Sequence, residues 1–121
     1  KSERNAGLEG FPKIHSSNTE DSPNPKRDIR PDIRTANHHP TVKPLSLTKY
    51  LATLIKLPTG GRLLVPFSGS GSEMIGALQA GWEYVEGVEL TEEYIPIAEA
   101  RIKYWLAQKD KESQNEQTSM L

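Results

Sequence analysis

The run Leu63-Leu64-Val65-Pro66-Phe67-Ser68-Gly69-Ser70-Gly71-Ser72 decides the fold. It opens with a short apolar block, the pattern of a strand buried in a parallel sheet. It then passes through a glycine-rich turn into Met74, Ile75 and Leu78, spaced to face inward from a helix over about 72–80. Gly81 stands just past that helix, where a left-handed cap belongs. Tyr84 to Val88 reads as a second strand ending at Glu89. Upstream, Leu47, Tyr50, Leu51, Leu54 and Ile55 repeat at i, i+3, i+4, i+7 and i+8, one face of an amphipathic helix. Pro44 suits its first turn, and Leu57-Pro58-Thr59-Gly60-Gly61 ends it. Downstream, Thr91 is placed to cap a last helix, with Glu92 and Glu93 in its first turn. Pro96 lies near the start of that helix, and Ile95, Ala98, Ile102 and Trp105 form its expected buried stripe.

Strand, helix and strand at these lengths make a right-handed parallel unit. The predicted class is therefore α/β, with a partial Rossmann-like sheet, since two strands are too few for a complete doubly wound one. Three zones surround this unit. Residues 1–40 form an irregular connector interrupted by Pro12, Pro23, Pro25, Pro31 and Pro40. Residues 41–108 carry the periodic patterning, and residues 109–121 read as a polar, frayed tail.

Composition narrows the chemistry. The chain has 121 residues, 35% of them hydrophobic, with nine glycines and nine prolines. Mean hydropathy is −0.62, as expected of a compact apolar part diluted by polar segments. The absence of cysteine rules out disulfide scaffolds, thiolate metal sites and thiol nucleophiles. No apolar run reaches the ~18 residues of a membrane span, so no membrane partner is expected. The net charge of −1 gives no basic signature for the chain as a whole. His38 and His39 have no third ligand nearby, so no metal is expected. Arg27, Arg30 and Arg34, interleaved with Asp28 and Asp32, read as a self-paired solvated segment rather than a phosphate-binding stripe. Trp82 and Trp105 read as packing residues.

A glycine-rich loop between strand and helix brings backbone N–H groups close to a ligand. The dinucleotide pattern fails because Met74 stands where its third glycine belongs, and the phosphate-loop Gly-Lys-Ser/Thr is missing. What remains is Phe67-x-Gly69-x-Gly71 followed by Glu89, 18 residues past Gly71, at the end of the next strand. A carboxylate there can accept both hydroxyls of a ribose. The ligand that fits is an adenosine without a pyrophosphate; the alternative is a tight turn with no ligand.

The segment His39-Pro40-Thr41-Val42-Lys43-Pro44, followed by an amphipathic helix and then Pro66-Phe67-Ser68-Gly69-Ser70-Gly71-Ser72, is specific. Together these resemble the amino-group DNA methyltransferases, which act on adenine N6 or cytosine N4 and use S-adenosyl-L-methionine. The order matches their beta-type arrangement, in which the cofactor half follows the catalytic half. The start, Lys1 to Leu8, looks like the connector before that half in phage-like members. The resemblance implies that residues 41–108 are the S-adenosylmethionine-binding half-domain. It places Thr41 and Lys43 by the methionine carboxylate, and Phe67, Ser68, Gly69, Ser70 and Gly71 around the methionine and ribose. It adds Ser72 at the helix start, Glu89 on the ribose hydroxyls and Leu90 against the adenine. DNA is the implied partner, and a bacterial or phage-infected cytoplasm the implied setting.

The chain departs from the family in two ways. Val65-Pro66-Phe67 stands where the family usually has Asp-Pro-Phe, and Ser72 replaces the usual Thr. The catalytic Asp/Asn/Ser-Pro-Pro-Tyr/Phe/Trp motif is missing, with Ser22-Pro23-Asn24-Pro25 the nearest string. That motif orients the amine and stacks on a flipped base. The expectation is therefore a cofactor-binding half whose catalytic half lies upstream or in a separate chain, with no catalytic residue of its own. A degenerate interaction module is the alternative. Alone, a half-sheet with an uncovered apolar edge is expected to fold marginally.

Overall fold

The structure is a computed structural model, and it describes residues 3–15 and 34–120. The Arg27 and Arg30 stretch and Ser22-Pro23-Asn24-Pro25 lie outside the described residues. Strands β1 (Ile14–His15) and β2 (Arg34–Thr35) form a short antiparallel pair. The main unit follows in the order α1 (Leu45–Leu54), β3 (Arg62–Val65), α2 (Ser72–Gln79), β4 (Tyr84–Gly87) and α3 (Ile95–Ser119). The fold is α/β: a small parallel sheet flanked by helices, part of a Rossmann-like arrangement.

β3 and β4 pair in parallel, from Arg62 opposite Tyr84 to Val65 opposite Gly87. The ladder runs past the strands, because Val88 N–H donates to Val65 O and Ser68 N–H to Val88 O, both at 2.9 Å. Those bonds fix where the glycine loop leaves the sheet. α2 ends as its sequence predicts: Gly81 has φ 92°, its N–H donates to Leu78 O, and Trp82 N–H donates to Ala77 O. This is the paired C-terminal motif that a left-handed glycine permits.

α1 and α2 meet at Gly76, where any side chain would run into Thr48. Thr48 Oγ1 donates across that contact to Ser72 O at 3.1 Å. Ala52, Ala77 and Trp82 form the core between these helices and the sheet, with Leu63, Ala80 and Val85 around them. Trp82 Nε1 donates to Ala52 O at 2.9 Å, so its one polar atom is satisfied in the core.

The sequence's reading of α1 needs correction. The face that packs is the narrow one of Leu45, Thr48 and Ala52. Leu47, Tyr50, Leu51, Leu54 and Ile55 remain exposed, because close approach at Gly76 selects small residues and turns the large ones outward. α3 also differs. A short 3₁₀ turn, Glu92–Tyr94, precedes it, and the buried positions are Ile97, Ala98 and Arg101, while Ile95 is exposed. Pro96 sits in its first turn and costs nothing there. The helix continues to Ser119 through the segment read as a frayed tail.

The described ends of the N-terminal connector are packed. Arg4 donates from Nε to Asn37 O and from Nη2 to His39 O, at 2.9 and 2.8 Å. Asn37 Nδ2 donates to Arg4 O at 3.0 Å, and Asn37 N–H to Asn5 Oδ1 at 3.1 Å. Leu8 and Ala36 join Ile97 in a second core cluster. Glu3 caps α1 from 42 residues away, accepting the Leu45 N–H at 2.7 Å. The connector therefore fixes the segment 37–43 that leads into α1.

Candidate functional site

The glycine loop rises from the C-terminal end of β3. Gly69 (φ 53°) and Gly71 (φ 81°) both adopt left-handed conformations. A side chain on Gly69 would also meet the His39 ring at 2.7 Å. The Gly71 N–H donates to Ser68 O at 2.8 Å, and Gly71 O accepts the Ile75 N–H at 2.9 Å, opening α2.

Glu89, just past β4, closes over this loop. Its Oε2 accepts the Gly69 N–H at 2.7 Å and its Oε1 the Thr91 N–H at 2.9 Å. The Thr91 N–H is the main cause holding this carboxyl below its usual pKa; partial desolvation opposes it, and Gly69 and the Thr91 side chain add to it. Thr91 therefore serves Glu89, and its side chain caps neither the turn nor α3. Each carboxylate oxygen keeps a further lone pair for a ligand donor.

A cavity of about 290 Å³ lies in front of the loop, lined by His39, Thr41, Lys43, Phe67, Ser68, Gly69, Ser70, Ser72, Glu73 and Glu89. The structure thus brings Thr41, Lys43, Phe67, Ser68, Gly69, Ser70, Ser72 and Glu89 together around one polar space. Gly71 stands behind it, facing Ala98 of α3. Leu90 lies outside the lining and is 95% exposed. His39 Nδ1 accepts the Thr41 N–H at 3.2 Å, and the ring packs edge-on against Tyr94. Partial burial lowers the His39 pKa, and nearby Glu89 opposes that shift.

Three features escaped the sequence reading. Glu73 lines the cavity and pairs with Lys43, Oε1 to Nζ at 2.5 Å. Its position in a helix first turn reads as capping, which hides it. Arg101, fully buried, donates from Nη1 to Ser70 O, Ser70 Oγ and Ser72 Oγ at 2.7, 2.9 and 3.1 Å. Its Nε and Nη2 have no hydrogen-bond partner among the described residues. A charged residue on a helix reads as solvent-facing, so Arg101 gave no signal. The third is an open apolar groove of about 560 Å³ between α1 and β3, lined by Leu47, Leu51, Leu54, Leu64, Val65 and Phe67 among others. Val65, the departure from Asp, faces this groove and is absent from the polar cavity's lining. Lys43, Phe67 and Glu73 border both spaces.

Among the described residues no group of His, Asp or Glu is arranged to hold a metal, and no helix is long and apolar enough to cross a membrane. No family model matches the chain, and no solved structure matches it. Curated proteins do. The chain is 38% identical over 82 residues to "Thiopurine S-methyltransferase" of Psychrobacter cryohalolentis, covering 66% of this chain and 36% of that one. It is 40% identical over 65 residues to "Putative methylase YubD" of Escherichia coli (strain K12), covering 54% and 28% respectively. The chain therefore spans 28–36% of the length of these curated relatives. The similarities support a methyltransferase.

Proposed function

We propose that this chain is the S-adenosyl-L-methionine-binding part of a methyltransferase acting on an exocyclic amino group in DNA, adenine N6 or cytosine N4. One observation carries the reading: Glu89 and the Ser68–Ser72 loop, joined by the Gly69 N–H bond, enclose a polar cavity with Thr41 and Lys43 at the ends of two parallel strands. Such a crevice, beyond the carboxyl ends of parallel strands, is where open α/β sheets bind ligands.

The donor set suits the cofactor. Glu89, ionised and held by backbone donors, accepts the ribose hydroxyls. Lys43 supplies a cation and Thr41 a hydroxyl for a carboxylate. Phe67, 86% exposed, and Leu90 offer apolar surface for the adenine. When bound, S-adenosylmethionine supplies an electrophilic methyl group carried on a sulfonium. The chain's own contribution is to hold that ligand in one orientation, because an amine attacking in line needs positioning more than a strong base.

The amine is positioned from outside this chain, by the part that carries the Pro-Pro motif. The apolar groove between α1 and β3 suits that part. The far edge of β3 has no partner strand among the described residues, and the matches cover only 28–36% of the relatives' length. The DNA-amino acceptor rests on the segment His39 to Pro44. The name of one relative points instead to a thiopurine acceptor, so both acceptors belong in the assay.

Isothermal titration with S-adenosyl-L-methionine tests the cofactor reading. Saturable one-to-one binding, weakened in Glu89→Ala, is expected, and the absence of binding by a folded chain rejects the reading. With the catalytic part present, labelled methyl transfer to DNA rather than to a thiopurine is expected.

A further inference from the structure

The Lys43–Glu73 ion pair faces the cavity from the first turn of α2 and the approach to α1. Glu89 is held by two backbone N–H groups, whereas Glu73 pairs with the side chain of Lys43. Lys43 is itself half exposed at 50%, against 30% for Glu73, so the pair can open. We propose that Glu73 binds the ammonium of the ligand's amino-acid end while Lys43 takes its carboxylate, making this pair the element that selects a zwitterionic head group. The inference rests on the S-adenosylmethionine reading and deepens it.

Charge balance carries the argument. The positive end of α2 attracts a carboxylate and disfavours an ammonium. A zwitterion seated there needs an acid in the same turn, and Glu73 is that acid. Val65 faces the apolar groove and offers no carboxylate to the cavity. Opening the ion pair around a zwitterion trades one pairing for two and leaves no charge unpaired. A ligand with a neutral tail gains nothing from the exchange.

The test is calorimetric binding of S-adenosyl-L-homocysteine, which has the amino-acid head, and 5′-methylthioadenosine, which lacks it. Glu73→Gln is expected to weaken S-adenosylhomocysteine about tenfold, the scale of a lost charge-assisted contact, and to leave methylthioadenosine within about twofold. Glu73→Asp keeps the charge and should restore part of the affinity. Unchanged or tighter binding of S-adenosylhomocysteine by Glu73→Gln overturns the inference, since that is expected if Glu73 only competes for Lys43. A parent chain that binds both ligands equally overturns it too, with the cofactor reading left standing. A parent that binds neither rejects the cofactor reading, and this inference with it.

Discussion

At the scale of single residues, Glu89 joins structure to function. Its carboxylate ties the glycine loop to the end of β4 and is also the proposed ribose acceptor. Glu89→Ala is therefore expected to weaken ligand binding by about tenfold or more, because it removes a charged hydrogen-bond acceptor, as read by titration. Acid acts on the same corner. Both His39 and Glu89 have folded-state pKa values below their usual 6.5 and 4.5. The unfolded chain then takes up these protons first, so stability is fully present above about pH 6.5 and declines as pH falls through the lowered His39 pKa. It declines again below 4.5, through the lowered Glu89 pKa. Melting temperature against pH should fall in both windows, and His39→Gln should flatten the upper one. Arg101 anchors the loop from beneath. Arg101→Ala removes its bonds to Ser70 and Ser72 and leaves a void, an expected loss of about 2–4 kcal/mol in urea unfolding.

At the scale of elements, the sequence shows where the helices and strands lie better than which way they face. β3, α2 and β4 were legible because an apolar block, a glycine loop and Gly81 mark their ends. The orientation of α1 was not legible, because hydropathy names the apolar side without saying whether anything covers it. Packing is decided instead by Gly76 and Thr48, small residues that carry no hydrophobic signal. Gly76→Ala should destabilise by about 1–3 kcal/mol through overpacking, detectable as a shifted urea midpoint. Leu51→Glu, on the exposed face, should leave the midpoint nearly unchanged while reducing dye binding to apolar surface. The loop, Glu89 and Lys43 were legible as a motif, whereas Glu73 and Arg101 were not, because a capping position and a charged helix residue have commoner explanations than a cavity wall or a buried anchor.

At the scale of the whole molecule, the apolar groove and the polar cavity share Lys43, Phe67 and Glu73, so whatever covers the groove borders the ligand. Leu47, Leu51, Leu54, Ile55 and Leu64 stand exposed along that side, more apolar surface than a stable monomer usually leaves open. The chain alone should melt broadly and bind apolar dye, and covering the groove should sharpen the transition. The most direct test is a two-dimensional amide NMR spectrum of the chain titrated with S-adenosyl-L-methionine. Shifts concentrated at Gly69, Gly71, Glu89 and Lys43 are expected of a working cofactor site. A dispersed spectrum in which those resonances stay still would contradict it.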